Sequence, residues 1–276
     1  MTPSSSASAQ AYLNVRDLRI TAGEKILVGG LSFTAEKGRV TGMVGESGSG
    51  KSLTCQTIMG LPPRGLSVSG DVLLNGVAMP LEPKNAVLAH GSRGRQVAMI
   101  MQNPISCFNP VCTIKTHFRE TLAAHHKSRL DNTRQRWRSS LVQVGFENPD
   151  AILPLYPFQM SGGMLQRVMI ALALALDVDF LLADEATTDL DAVSQRRVLD
   201  LVASLVHDRD LGVLLITHDL SVIAHLADDV LVMREGVLVE RGNVHAVFNR
   251  PCHPYTISLL EAHYRLYGID MEASCN

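Results

Sequence analysis

The chain has 276 residues and a formal net charge of −2, with 46% apolar and 19% charged residues. This length suits one large domain or two small ones, and the apolar content is sufficient for a substantial core. The near-neutral charge gives no electrostatic support for binding to nucleic acid, so we expect no nucleic-acid partner.

The N-terminal residues, the longest apolar run and the cysteines argue against further classes of protein. Residues 1–10 are small and polar, without the basic region and apolar core of a signal peptide, and we expect them to be disordered. The longest apolar run, Val168 to Leu176, has nine residues, against about 20 for a membrane-spanning helix. The five cysteines form no C-x-x-C pair, which suits a reducing compartment and argues against a disulfide framework or a zinc site. We therefore expect a protein that is soluble or peripheral to a membrane.

Short apolar pulses separated by Gly29, Gly30 and Gly38 fill residues 12–44. Pulses of this length, with glycines between them, predict a strand-rich beginning. A further strand that ends in a turn is expected at 69–76. The N-terminal part of the chain is therefore predicted to be mainly β-structure.

The string GESGSGKS at 45–52 fits the phosphate-binding pattern G-x-x-x-x-G-K-[ST]. A predicted buried strand at 39–44 and a predicted helix at 53–59 give it the context that the pattern needs. The glycines let backbone amides point at phosphate oxygens, and the helix N-terminus adds a partial positive charge. Lys51 is predicted to reach the β- and γ-phosphates, and Ser52 to hold Mg²⁺. The predicted nucleotide contacts of this loop are Gly45, Glu46, Ser47, Gly48, Ser49, Gly50, Lys51, Ser52 and Leu53.

Three later apolar segments, at 97–101, 180–183 and 213–216, are predicted to be core strands. Polar residues follow them, and the carboxyl ends of strands are where α/β sheets carry their sites. The remaining predicted elements are a polar, basic helical region at 113–144, a crossover helix at 194–206 and a hairpin at 230–239.

The acidic pair Asp184 and Glu185 follows one of these strands. Apolar residues followed by an aspartate form the second element of many nucleoside triphosphatases, in which Asp184 would hold Mg²⁺ through water. Glu185 would leave the strand on the opposite side, where it could polarise the attacking water. Taken alone, the pair could also be an acidic turn without function, but the glycine loop upstream argues against that interpretation.

A second glycine signal, Ser161-Gly162-Gly163, opens an apolar helix. Such a string alone is usually a linker turn, but a serine at a helix start can form a second phosphate-binding end. It cannot serve the same phosphates as Lys51 unless the chain folds back or a second chain supplies it.

Six elements occur in a fixed order: GESGSGKS at 45–52, Gln102, Met160 to Met164, Phe180 to Glu185, Thr188 to Asp191, and His218. Together they resemble the motifs of the ATP-binding subunits of ABC transporters, over nearly the whole chain. The resemblance implies an α/β fold with a P-loop NTPase (RecA-like) core. It also implies an antiparallel β subdomain, a helical subdomain that carries the signature, and a short C-terminal extension. The implied boundaries are 11–245 for the ATPase domain, about 103–165 for the inserted helical subdomain and 246–276 for the extension.

The resemblance also implies ATP and Mg²⁺ as cofactors and a head-to-tail dimer of ATPase subunits. In that dimer the signature of one subunit closes over the ATP at the glycine loop of its partner. Glu185 would be the catalytic base, His218 would contact the γ-phosphate and Gln102 would sense it. The further implied contacts are Ser161, Gly162, Gly163 and Asp191 for the nucleotide across the interface, and Ser52, Gln102 and Asp184 for Mg²⁺.

The implied partners are two integral membrane permease subunits, a second, paralogous ATPase subunit, and a periplasmic or extracellular solute-binding protein. The chain itself would lie peripherally on the cytoplasmic face of the inner membrane. Cargo would touch those partners rather than this chain.

The string His253-Pro-Tyr-Thr256 resembles the C-terminal element of ATPases that serve peptide and nickel importers. The tail at 263–268 and the string at 163–167 favour nickel within that group. The implied function is ATP-driven uptake of nickel or a nickel–chelator complex. Two alternatives stay open: an importer of dipeptides, oligopeptides or other metal–metallophore complexes, and an ABC ATPase that does not serve transport.

Several positions depart from the usual pattern of this family. Met160 and Met164 replace the outer Leu and Gln of the signature, and Ala186 replaces a proline. The stretch 20–23 has no aromatic ring to stack on adenine, and Tyr12 lies too early to substitute for one. These departures favour a site completed by an unlike partner, although a homodimer also stays open.

Overall fold

A computed structural model describes residues 12–81, 92–125, 133–187 and 190–266. The expected disorder of residues 1–10 and the last part of the predicted extension, 267–276, lie outside these ranges. The described strands are β1 (Leu13–Ala22), β2 (Lys25–Ala35), β3 (Val40–Val44), β4 (Ser67–Leu74), β5 (Val77–Ala78), β6 (Val97–Ile100), β7 (Phe180–Asp184), β8 (Gly212–Ile216), β9 (Asp229–Arg234) and β10 (Val237–Asn243). The described helices are α1 (Lys51–Ile58), α2 (Ile114–Ala124), α3 (Thr133–Gln143), α4 (Pro149–Ile152), α5 (Gly162–Ala175), α6 (Ala192–Arg209), α7 (Leu220–Leu226), α8 (Val244–Asn249) and α9 (Pro254–Leu266).

Strands near the N-terminus form a four-stranded antiparallel sheet in the order β2-β1-β4-β5. Leu13 and Val15, and then Leu18 and Ile20, alternate with more exposed residues in β1 and face the core; an irregularity in the pairing between Val15 and Leu18 shifts the pattern by one residue. This sheet confirms the predicted antiparallel β subdomain.

The central sheet has six strands in the order β10-β9-β3-β8-β7-β6. All neighbours from β9 to β6 are parallel, and β10 pairs antiparallel with β9 as the predicted hairpin. Every residue of β3, β7 and β8 is buried, which explains why these segments contain few polar residues and no alternating pattern. Their carboxyl ends lie at one edge of the sheet, so the residues that follow them are brought together.

Helices α2 to α5 form the helical part of the fold. Helix α5 packs against α3, α2 and β6, and its apolar run lies in the larger core cluster with Phe118 and Trp137. The run from Val168 to Leu176 is therefore a core helix, as expected. None of the helices within the described ranges is long and apolar enough to cross a membrane.

The last two helices return to the central sheet. Helix α8 packs against α7, β9 and β10, and α9 packs against β10. The implied boundary at 245–246 falls inside α8, and the implied limit of the helical subdomain at 165 falls inside α5. Helix α9 begins at Pro254, on the side of the central sheet where the parallel strands end and the glycine loop lies.

Candidate nucleotide-binding site

The glycine loop connects β3 to α1, in the predicted context. Gly45 has φ 151°, and a Cβ there would lie 2.0 Å from the carbonyl oxygen of Met233. Gly50 is the residue before α1, in a left-handed conformation with φ 98°. Both positions therefore require glycine, one for space and one for backbone conformation.

The ammonium group of Lys51 lies inside this loop. Its Nζ donates to the carbonyl oxygens of Gly45 at 2.7 Å and Glu46 at 2.8 Å, and contacts Ser49 Oγ at 3.3 Å. Burial lowers the pKa of Lys51, and the neighbouring carboxylates, Glu185 first among them, oppose that shift. The loop thus holds a cation close to the amides that precede α1.

Ser52 and Asp184 face each other across the start of α1 and the end of β7. Ser52 Oγ donates to Asp184 Oδ1 at 2.8 Å. Burial raises the pKa of Asp184, while the Ser52 hydrogen bond lowers it and Glu185 raises it. Two hard oxygen donors therefore stand side by side, which is the ligand chemistry that Mg²⁺ prefers.

Glu185 turns away from its neighbour Asp184. Its φ is 48°, in the left-handed region, and its backbone N–H donates to Ile216 at the end of β8 with a distance of 2.9 Å. Its Oε1 lies 3.4 Å from Nδ1 of His218, just beyond β8. The backbone therefore directs the two carboxylates to different sides, as expected from the sequence, and Glu185 contacts His218.

An open cleft of about 470 Å³ lies over the loop. It is lined by Ser47, Gly48, Gly50, Lys51, Ser52 and Leu53 from the loop and α1, by Lys25, Ile26 and Leu27 from β2, and by Glu185 and Glu235. Ile26 is 61% exposed. Tyr12, by contrast, is buried and stacks on Phe180 with ring centroids 5.6 Å apart, so it does not line the cleft.

The Ser161 signature lies elsewhere in the described fold. Ser161 Oγ accepts a hydrogen bond from the Met164 N–H at 3.2 Å and so caps α5. A Cβ on Gly163 would lie 2.9 Å from Ser194 Oγ on α6, and Asp191 caps α6 by accepting from Val193 and Ser194. The signature is thus packed on the start of α6.

Gln102 follows β6 and is exposed. Neither Gln102 nor the signature residues or Asp191 line the cleft over the glycine loop, in the part of the chain that the structure describes. The fold therefore brings the glycine loop together with Asp184, Glu185 and His218. Gln102, the signature residues and Asp191 lie apart from the cleft.

The unusual methionines of the signature have a packing role. Met160 is buried in the larger core cluster, and Met164 packs against the same cluster. Met160 thus fills the interior beneath the signature, and the partly buried Met164 packs against it.

Two features of the site had no clear signal in the sequence: one contact of the loop and one residue that lines the cleft. The hydroxyl of Tyr255, in the His-Pro-Tyr string, accepts a hydrogen bond from the Glu46 N–H at 3.0 Å. Ile26 follows the turn that joins β1 to β2 and reaches the cleft. The string was recognisable as a motif, but its contact with the loop could not be read from it.

These features define a P-loop nucleoside triphosphatase: a glycine loop that carries Lys51 and Ser52, and an acidic strand end beside it, on a mainly parallel sheet. The family model described as ABC transporter matches residues 28–188. The chain belongs to the ABC transporter family and is an ATP-binding, ATP-hydrolysing transport subunit of it.

Relatives and solved structures agree with this assignment. The chain is similar to the nickel import ATP-binding protein NikD of Brucella abortus, with 47% identity over 255 residues, 92% of this chain and 94% of that protein. For the protein of the same name from Rhodospirillum rubrum the identity is 48% over 250 residues, 89% of this chain and 91% of that protein.

Among solved structures, cbiO1 from Clostridium perfringens, part of the ABC transporter complex cbiONQ, has a TM-score of 0.73 at 22% identity and covers 94% of this chain and 97% of its own. A dimeric bacterial ABC transporter cassette has a TM-score of 0.71 at 22% identity, and the match covers 84% of this chain and 98% of that chain. These likenesses show the fold, and they confirm the expected P-loop NTPase architecture.

Proposed function

We propose that this chain is the ATP-hydrolysing subunit of an importer that takes up nickel or a nickel–chelator complex. The observation that carries the cargo is its 44–48% identity to four proteins named as nickel import ATP-binding proteins, over about nine-tenths of the chain. The observation that carries the chemistry is the junction of the glycine loop with Asp184, Glu185 and His218.

The phosphates of ATP lie over the loop. Lys51 exchanges its bonds to the Gly45 and Glu46 carbonyls for the β- and γ-phosphate oxygens, which carry more negative charge. The amides at the start of α1 and the helix N-terminus hold the remaining oxygens. The contacts we assign to the loop run from Gly45 through Glu46, Ser47, Gly48, Ser49, Gly50, Lys51 and Ser52 to Leu53.

Ser52 and Asp184 are the residues that would hold Mg²⁺, Ser52 directly and Asp184 through water, with Gln102 as a further contact. The ion would neutralise charge on the phosphates. Ser52 Oγ and Asp184 Oδ1 are hydrogen-bonded to each other at 2.8 Å, so both oxygens are close enough to serve one ion.

Hydrolysis requires an oriented water and a proton acceptor, with little covalent chemistry from the protein. Glu185 accepts the proton of that water. His218, 3.4 Å from Glu185, fixes the carboxylate and contacts the γ-phosphate. Gln102, at the end of β6, senses the γ-phosphate when the site is complete.

A second ATPase subunit supplies the missing half of the site. Ser161, Gly162 and Gly163 lie outside the cleft that their own loop forms, so the signature serves the ATP of a partner, and Asp191 contacts that partner. The dimeric cassette with the same fold supports this arrangement. The departures at Met160 and Met164 favour a paralogous subunit as the partner.

Transport needs partners that span the membrane, and we propose two integral permease subunits and a periplasmic or extracellular solute-binding protein. The chain would then lie peripherally on the cytoplasmic face of the inner membrane. Exposed apolar side chains near Gln102 and in the helical part, Ile105, Val111 and Phe158 among them, support a docking surface for the permeases. The implied division into ATPase domain, helical insertion and C-terminal extension fits this role.

Uptake in a strain lacking this chain tests the cargo. Nickel uptake should fall and return when the chain is restored, while a Lys51→Ala copy should not restore it. Dipeptide uptake is the control. Lost peptide uptake with unchanged nickel uptake would contradict the proposal and favour a peptide importer.

A further inference from the structure

The start of helix α9 is tied to the central sheet through Glu240 on β10. The two carboxylate oxygens of Glu240 accept hydrogen bonds from the N–H groups of Cys252 at 2.7 Å and His253 at 3.0 Å. His253 Nδ1 in turn accepts from the Tyr255 N–H at 3.1 Å. Glu240 therefore holds the backbone at Cys252 and His253, and His253 holds it at Tyr255, so the start of α9 and the direction of Tyr255 are fixed.

The side chain of Tyr255 reaches from α9 to the glycine loop. It is only 4% exposed, and the guanidinium of Arg234 lies 5.1 Å from its ring centroid. Its hydroxyl accepts the hydrogen bond from the Glu46 N–H at 3.0 Å. Burial is the largest influence that raises the pKa of Tyr255, so the hydroxyl stays protonated.

The residue that Tyr255 contacts is also the residue that holds the catalytic lysine. The carbonyl oxygen of Glu46 accepts from Lys51 Nζ at 2.8 Å and from the Ser49 N–H at 3.2 Å. Gly45, just before it, lies against the backbone of Met233. The loop is thus bounded by β9 on one side and by α9 on the other, with Glu46 as the shared residue.

We propose that Tyr255 is a positioning residue for ATP binding, which makes the C-terminal helix a working part of the nucleotide site. By accepting from the Glu46 N–H, its hydroxyl fixes the arc of the loop over which the phosphates of ATP would lie. The inference rests on the proposed function of that loop. Because coupling between two sites is reciprocal, ATP in the loop stabilises the docking of α9.

The Tyr255→Phe variant of the full chain tests this positioning role. It removes one hydroxyl and keeps the ring and its contact with Arg234. A hydrogen bond of ordinary net strength predicts a Kd for Mg-ATP, titrated with a fluorescent ATP analogue, that rises about two- to tenfold. KM for ATP should rise with it while kcat changes little. The matched control is Tyr264→Phe on the same helix, which should bind ATP as the wild type does.

Hydrogen exchange supplies a second measurement that a purely structural role would not move. In the wild-type chain, amides at 255–266 should exchange more slowly when ATP is bound, and Tyr255→Phe should reduce that protection. The wild-type comparison with and without ATP needs no variant, so it tests the inference even if the substitution prevents folding.

Equal ATP affinity in the Tyr255→Phe variant and the wild type would overturn the inference, as would α9 amides that ATP leaves unprotected. In both cases the proposed function would stand, because the wild-type chain would still bind ATP. A wild-type chain that binds no ATP would instead contradict the proposed function and this inference together.

Discussion

The Nδ1 atom of His218 lies 3.4 Å from the Oε1 atom of Glu185, between the ends of the adjacent strands β8 and β7. The contact exists because Glu185 adopts a left-handed backbone conformation, with φ 48°, directly after Asp184. Asp184 can then face Ser52 while Glu185 faces His218. Two consecutive carboxylates thus acquire different neighbours, one suited to a metal ion and one suited to a water.

Substituting His218 tests whether this contact orients Glu185. We expect His218→Ala to bind ATP almost as the wild type does and to hydrolyse it about 10²-fold more slowly, since misplacing a catalytic group costs rate of this order. Steady-state ATPase assays with a parallel binding titration measure both. His225→Ala, which removes a surface histidine 3.8 Å from Asp200, is the control and should leave turnover unchanged. Equal turnover in both variants would remove His218 from the mechanism.

Lys51→Ala should lose nucleotide binding itself. A charge-assisted hydrogen bond contributes about 1.5–3 kcal/mol, so the Kd for Mg-ATP should rise by roughly 10- to 150-fold. Lys37→Ala, which breaks the bridges to Asp179 at 2.7 Å and to Asp210 at 3.9 Å, should leave the Kd unchanged. Nucleotide titration decides between these outcomes, and an unchanged Kd for Lys51→Ala would contradict the assignment.

Gly45 should tolerate no side chain. In Gly45→Ala the new Cβ would meet the Met233 carbonyl oxygen at 2.0 Å, and crowding of this kind costs about 1–3 kcal/mol or more. We expect a lower melting temperature together with lost ATP binding. Gly23→Ala, at a turn with open space around it, should cost about 1–2 kcal/mol from backbone conformation alone and keep ATP binding.

We expect the adenine to lie over Ile26, one of the β2 residues that line the cleft. Ile26 is exposed and aliphatic, so the base gains area burial but no ring stacking. Ile26→Tyr should tighten ATP binding about fivefold, which corresponds to roughly 1 kcal/mol of base–aromatic stacking. Titration with inorganic triphosphate, which has no base, is the control and should give the same Kd in both proteins. A weaker affinity for ATP in the variant would place the base elsewhere.

Much of the fold was predictable because its signals are local. Short, mainly apolar segments marked β3, β7 and β8, and the glycine pattern marked the loop between β3 and α1. The family resemblance assigned Glu185 and His218 to one site but did not predict their contact, because strand order decides it and strand order is not a local property. The Tyr255 contact with Glu46 joins residues 209 positions apart, and no pattern in either segment indicates it.

The turnover of Glu185→Gln tests the central claim, that Glu185 activates the water at the glycine loop. The substitution keeps the size of the side chain and removes its basicity. We expect unchanged ATP affinity and a hydrolysis rate about 10²–10⁴-fold below that of the wild type, the usual contribution of a general base. Hydrolysis at the wild-type rate, with ATP bound normally, would contradict the account.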